Sequence, residues 1–414
     1  MNKRLLLLFF LATIAVGTQA RHTILSNRYQ SLTVMVNNNW LSAPVMQLNS
    51  GDILNISFDE LSHDAHRLIY KIEHCEIDGS VSEDIFESDY LEGFNGMTID
   101  NYEKSRGTTV LYTHYRLQIP NEQCRLKMSG NYRLTVYEED NEMEEVLQVD
   151  FAVNEDLMKI GMEVSTNTDI DINNRHQQLH IKLNYGNVKV NNIDEQLHVV
   201  VRQNEREDNQ CINPRPTFIN LNGLEWSHQR ELIFPAGNEY RKFEVLALSH
   251  PTMGIDHISW DGEMYNAYPF VCEERKNYLY DVDANGCFYI RNSDNFENDV
   301  TCDYVFVHYQ LLMDPPLEQG NVMIDGRWCN NRDKGSYMMS YDEETRSYHA
   351  TLLQKQGYYS YQLLGCNDEE RFALESEGNF YQTENTYQMY VYYKKNGGRT
   401  WRLVGYKEVE KSQR

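Results

Sequence analysis

The chain has 414 residues, with 62 acidic and 38 basic side chains and a formal net charge of −24. That excess of negative charge repels nucleic acid and anionic lipid, which leaves proteins, sugars and cations as the partners its composition accommodates. At roughly 100–200 residues per domain, the length corresponds to two to four domains.

The first residues, MNKRLLLLFFLATIAVGTQA, place Lys3 and Arg4 before an apolar run from Leu5 to Val16 and end on small residues at Ala20. This pattern predicts a cleaved secretory signal over 1–20 and a mature chain starting near Arg21. Without Lys3 and Arg4 the balance is 36 basic against 62 acidic residues, a net charge of −26. The apolar run is too short to span a bilayer. No later stretch reaches the roughly 20 apolar residues a spanning helix needs, so no direct membrane insertion is expected. Eight cysteines, at 75, 124, 211, 272, 287, 302, 329 and 366, form an even set in an exported chain. Intradomain disulfides and buried free thiols are both open, and spacing cannot choose among the 105 pairings.

In chain order, SHDAH (62–66) and HCEID (74–78) bring His63, His66, His74, Cys75 and Asp78 close in sequence. Alternation along IYKIEHC puts His74 and Cys75 on opposite faces, which argues for loop polarity and a buried thiol over a metal site. SVSEDIFESDYLEG (80–93) predicts a helix, with Ser80 and Glu83 spaced as a capping box and Gly93 closing it. LYTHYRLQI (111–119) alternates: Leu111, Thr113, Tyr115, Leu117 and Ile119 fall on the core face, and Tyr112, His114, Arg116 and Gln118 on the outward face. On that reading His114→Ala leaves the fold intact. A partly buried histidine bonded to a neighbouring loop is the other reading of the same pattern. In SGNYRLTVY the inward set is Tyr132, Leu134 and Val136, like the late strand of an immunoglobulin-like sandwich that carries a corner tyrosine.

A second block of strands starts near 160 with LHIKLNY, LHVVVRQN and RKFEVLALS; His176 and His180 lie on the polar face of the first. A third block follows DVDANGCFYIR and contains DYVFVHYQLL, SYHATLLQ, YYSYQLLG and YQMYVYYK, rich in tyrosine and β-branched residues. The expectation is an all-β protein of three tandem immunoglobulin-like sandwiches spanning 21–155, 156–278 and 279–414.

The chain contains no Gly-x-Ser-x-Gly, His-Glu-x-x-His, phosphate-binding glycine loop or Cys-x-x-Cys. No catalytic, cofactor or metal residue is therefore assigned, and no enzyme is expected. DVDANG (281–286) matches half of a calcium loop through Asp281, Asp283 and Asn285, but position twelve is Asn292, so a glycine-closed turn is the better reading. Trp328, Tyr337, Tyr341, Tyr358, Tyr359 and Tyr361 allow a sugar-stacking platform, against which stands ordinary cross-strand packing. A glycan binder is accordingly the alternative function.

Six ordered blocks, SDYLEGFNG, YTHYRLQIPNE, SGNYRLTVYEED, GNEYRKFE, YDVDANGCFYIR and EGNFYQTENTYQMYVYY, give the chain from about Trp40 to Tyr406 a resemblance to the type IX secretion system plug family. The resemblance implies a periplasmic, non-enzymatic protein that docks on a large outer-membrane β-barrel translocon and closes its periplasmic opening when no cargo is in transit. A reversible seal of standard size buries about 1,200–2,000 Å². The candidate contacts are Tyr112, His114 and Arg116 on the outward strand face, together with Tyr90 and Phe94 in the first block.

Overall fold

Period-two alternation builds strands through almost the whole chain: 47% of it is strand and 6% helix. The computed structural model describes residues 22–367 and 370–411; the expected signal over 1–20 lies outside the described residues.

The strands pair into opposed sheets around three principal clusters of buried apolar side chains. In the first, a six-stranded sheet centred on Leu68–Cys75, Gly130–Glu138 and Glu144–Asn154 faces a four-stranded sheet of Tyr29–Val36, Leu54–Glu60, Thr113–Ile119 and Tyr102–Lys104. Leu54, Ile56, Phe58, Tyr115, Leu117 and Ile119 meet Ile72, Tyr132, Leu134, Val136 and Val149 between them. The inward set expected for SGNYRLTVY is buried as read. The Tyr132 hydroxyl donates to the Met128 carbonyl at 2.6 Å, closing the strand entry as a corner tyrosine does.

The strand pairing departs from a tandem order with a boundary near 278. Leu197–Gln203 pairs with Thr386–Tyr393, which pairs with Arg402–Glu410, so the C-terminal strands complete the second sandwich. Arg241–Val245, Ile255–Trp260 and Tyr265–Pro269 instead pair within the third, with Gly357–Cys366 and Tyr304–Leu312. The third sandwich is thus inserted into the second, and position 278 falls in a loop joining two of its own strands. Local alternation identifies strands without saying which neighbours they choose, and that is why the returning strands could not be assigned.

The expected helix over 80–93 is also shorter than its sequence suggests. Only Glu87–Tyr90 is helical, with the Asp89 carboxylate accepting from the Phe86 amide at 3.0 Å. Ser80 is bonded to Asp78 through its hydroxyl at 2.6 Å, and Val81 bridges to Cys75 at the sheet edge. Tertiary pairing here overrides the capping pattern.

All eight cysteines are thiols, and seven are buried, with Cys211 half-buried. Burial pushes Cys75 and Cys302 up to about 12 and Cys211 to about 11, which suppresses the reactive thiolate. Thiol titration is expected to find all eight groups in denaturant, with Cys211 alone labelled early in the native protein. Tyr132→Phe removes a buried hydrogen bond and is expected to cost about 1–2 kcal/mol in denaturant unfolding.

Candidate functional site: the seam between the first and third sandwiches

The strand Thr113–Ile119 turns Tyr115, Leu117 and Ile119 into the first core, so Tyr112, His114 and Arg116 point away from it, as alternation requires. The part of that face that carries Tyr112 and His114 is not on the surface, whereas Arg116 is half-buried and Gln118 exposed. The buried part is covered by the third sandwich, and His114 is 4% exposed and Tyr112 fully buried. The expected outward, partner-facing placement of Tyr112 and His114 is therefore corrected: the face binds a neighbouring part of the same chain.

At the centre of this seam stands Lys355, at the end of the strand Ser347–Lys355 and 2% exposed. Its ammonium donates to Asp59 Oδ2 at 2.6 Å and to the Asp299 carbonyl at 2.6 Å, and lies 4.0 Å from the centroid of the Tyr112 ring. Asp59, on Leu54–Glu60, accepts in addition from the Tyr304 hydroxyl at 2.7 Å and is bonded through Oδ1 to His114 Nδ1 at 2.6 Å. His114 Nε2 lies 3.5 Å from Asp299 Oδ2, an ionic approach without a hydrogen bond. Arg116, half-buried, donates from Nε to the same carboxylate at 3.0 Å, and the Tyr112 hydroxyl donates to the Cys302 carbonyl at 2.7 Å. Asp303 extends the seam by accepting the amides of Thr109 at 2.6 Å and Val110 at 3.1 Å.

The charges are mutually stabilised. Burial on its own would raise the Asp59 carboxyl, but Lys355 and His114 outweigh it and hold Asp59 below its ordinary value. The close approach of the His114 imidazole, with the Arg116 charge, holds Asp299 well below the usual carboxylate range against its desolvation. Burial opposes the His114 cation; Asp299 and Asp59 overcome it, and the imidazole is raised above its ordinary pKa.

Of the other candidate contacts, Tyr90 is buried against His74 and Tyr132, which corrects its expected role at a surface, whereas Phe94 is 72% exposed. Lys355, Asp59 and Asp299 were missed by reading the sequence. The available signal was slight: Asp59 and Glu60 are adjacent carboxylates closing an alternating strand, LNISFDE, and both are fully buried.

A second seam joins the first sandwich to the C-terminal strands. Ala152, Val200, Tyr390, Tyr392 and Leu403 form a small apolar cluster, the Tyr392 hydroxyl donates to Asn131 at 2.9 Å, and Arg402 pairs with Glu155. Where all three sandwiches converge lies a cavity of about 170 Å³ lined by Trp40, Phe151, Arg202, Phe288, Arg327 and Tyr392, among others. Beside it, burial pushes the Asp150 carboxyl up to about 7 despite its bond from Arg133.

The aromatic residues of the third block are committed to packing. Tyr337, Tyr359 and Tyr361 are buried, Trp328 packs on Tyr359 and donates to the Ser360 carbonyl at 2.9 Å, and Tyr358 meets Trp40 of the first sandwich. They form no exposed platform. In DVDANG, Asp283 accepts the amides of Asn285 and Tyr240, and Asp281 pairs with Lys242, so these carboxylates organise a turn. His63 is bonded to Ser105, His66 to Glu60 and His74 to Ser82, three separate partners. Among the described residues no group of three or more histidine, cysteine, aspartate or glutamate side chains is arranged to hold a metal ion.

Residues 29–155 match the family described as type 9 secretion system plug protein 1st domain. A crystal structure of a protein from Parabacteroides merdae ATCC 43184, titled hypothetical, is 36% identical to this chain; the match covers 94% of this chain and 99% of that one, with a TM-score of 0.90. No curated protein matches. The chain belongs to the type IX secretion system plug family. Family membership ties it to type IX secretion and to the cell envelope. The plug-family segment 29–155 supplies Asp59, Tyr112, His114 and Arg116 to the seam, whereas Asp299, Tyr304 and Lys355 come from beyond it.

Breaking the pair from one side strands a buried carboxylate. Lys355→Met is expected to destabilise the protein by about 3–5 kcal/mol in denaturant unfolding, with Asp59→Asn in the same background recovering part of the loss. His114 holds its proton more tightly folded than unfolded, so its contribution is complete below about pH 6.5 and fades as pH rises through the raised folded value. Asp59 and Asp299 contribute above their unfolded values of about 3.9 and lose that contribution as pH falls. Thermal midpoints are therefore expected to fall from about pH 6.5 to 8.5 in the native sequence and to fall less in His114→Gln.

Proposed function

We propose that this chain is a non-enzymatic periplasmic plug that docks on the outer-membrane β-barrel translocon of the type IX system and closes its periplasmic opening when no cargo is in transit. The observation that carries this reading is family membership joined to a body built to be stiff. The three sandwiches are tied by a buried ion-pair seam, an apolar seam and a two-strand return of the chain, which suits an element that must resist deformation across an opening. The chain has the means of presenting loops at sandwich ends while keeping its own faces occupied.

Two measurements test the proposal. Deleting the gene in a type IX-secreting bacterium is expected to increase outer-membrane permeability to a large hydrophilic antibiotic, and the native sequence is expected to restore the barrier. Tagged protein is expected to recover the translocon from envelopes of idle cells. Unchanged permeability together with no recovered barrel protein, in both idle and secreting cells, would refute the reading.

A further inference from the structure

The cavity where the three sandwiches converge has a volume of about 170 Å³. An engineered cavity of about 150 Å³ holds a molecule the size of benzene, so there is room here for one ring with short polar ends. Each sandwich supplies an aromatic wall: Trp40 comes from the first, Tyr390 and Tyr392 from the second and Phe288 from the third. Such walls accept another ring by offset stacking or edge contact. The lining includes the half-exposed Trp40 and Glu207, so the space is not sealed from solvent.

The charged side chains of the lining fall into two groups. Those of the second sandwich are matched among themselves. The Arg202 guanidinium lies 5.3 Å from the centroid of the Tyr390 ring, donates from Nε to Gln210 at 3.2 Å and has Glu207 4.0 Å away, while the Tyr390 hydroxyl donates to Glu205 at 2.8 Å. The two brought by the first and third sandwiches are incompletely used. Asp150 Oδ1 accepts from Arg133 Nε at 2.9 Å, but its Oδ2 is buried with no hydrogen-bond partner. Arg327 donates from Nη1 to the Ser42 carbonyl at 3.2 Å, and its Nε is buried without a partner. Leaving a buried charged donor or acceptor unmet is costly, and here one of each lines the same small space. Burial raises the Asp150 carboxyl to about 7 even beside Arg133, so a second cation is the neighbour that this carboxylate lacks.

We propose that this cavity binds a small zwitterion with a flat apolar body, the chemistry of an aromatic α-amino acid. Its ammonium donates to Asp150 Oδ2, its carboxylate accepts from Arg327 Nε, and its ring lies among Trp40, Phe288, Tyr390 and Tyr392. A pure cation would leave Arg327 unmet and a pure anion would leave Asp150 unmet, whereas a ligand carrying both charges satisfies both walls. Because all three sandwiches contribute to the lining, the bound molecule favours their assembled arrangement over any that separates them. The inference concerns a ligand of the chain itself and stands independently of the plug reading.

The test is calorimetric titration of the full chain, purified from native envelopes, with three probes of nearly equal size. L-Phenylalanine carries both charges, phenethylamine the ammonium alone and 3-phenylpropanoate the carboxylate alone. L-Phenylalanine is expected to bind with a Kd below about 1 mM, and the other two about tenfold more weakly or worse. At ten times its Kd it is expected to raise the thermal midpoint by about 2 °C. Asp150→Asn is expected to weaken L-phenylalanine and phenethylamine about tenfold and to leave 3-phenylpropanoate unchanged. Arg327→Gln is expected to weaken L-phenylalanine and 3-phenylpropanoate and to spare phenethylamine. These opposite selectivities separate lost pairing from lost folding, which lowers all three probes together; Asp150→Asn keeps an acceptor for Arg133 and decides the matter if Arg327→Gln unfolds. Absence of L-phenylalanine binding up to about 10 mM overturns the site in favour of ordered water in the cavity. Equal binding of all three probes, or L-phenylalanine binding that Asp150→Asn leaves unchanged, overturns it as well.

Discussion

The contact between Lys355 and Asp59 is the constraint on which the arrangement of the three sandwiches turns. Both charges are removed from water, each at a desolvation cost of several kcal/mol, and that cost is offset by the partners each of them has in the seam. Asp59 is met by Lys355, His114 and Tyr304, while Lys355 is met in turn by Asp59, the Asp299 carbonyl and the face of Tyr112. An apolar replacement of similar shape can equal such a pair in stability. What an ionic contact adds is discrimination: a shift of one residue in the docking of the two sandwiches would leave a buried charge unmatched.

The insertion of the third sandwich into the second gives that contact its leverage. The third sandwich is held at both of its chain ends by strands of the second, and on another flank by the polar seam to the first. The first and second sandwiches are joined directly through Ala152, Tyr392 and Leu403. Each pair of units thus has its own connection: a buried ionic and hydrogen-bonded seam between the first and third, an apolar cluster with an ion pair and a hydrogen bond beside it between the first and second, and continuity of the chain between the second and third. A body closed in this triangular way resists hinge motion that a tandem row with single linkers would permit.

The distribution of exposed apolar side chains follows from the same architecture. Tyr337, Tyr359 and Tyr361 of the third block are buried in their own core, and Tyr112 and His114 are engaged in the seam, so none of these is free to meet a partner. Exposed apolar side chains lie elsewhere and are spread over the body, among them Phe86 and Phe94 in the first sandwich, Phe218, Ile219 and Leu221 in the second, and Phe270, Leu279 and Phe296 in the third.

Read alone, the sequence was sufficient for many of the strands, for most of their inward residues and for the family, because alternation and ordered blocks are local properties carried by consecutive residues; Leu111, read as inward, is 53% exposed just ahead of its strand. Tyr132, Leu134 and Val136, and Leu179, Ile181 and Leu183, are buried as their pattern requires. It also placed His114 and Arg116 correctly on the face of their strand turned from the first core. Whether that face meets water or another sandwich was a matter for the tertiary structure, since the groups that cover it, Asp299, Tyr304 and Lys355, lie about two hundred residues or more along the chain. The return of Thr386–Tyr393 to Leu197–Gln203 was hidden for the same reason: pairing partners are selected by packing between distant segments, and no residue near either strand records the choice.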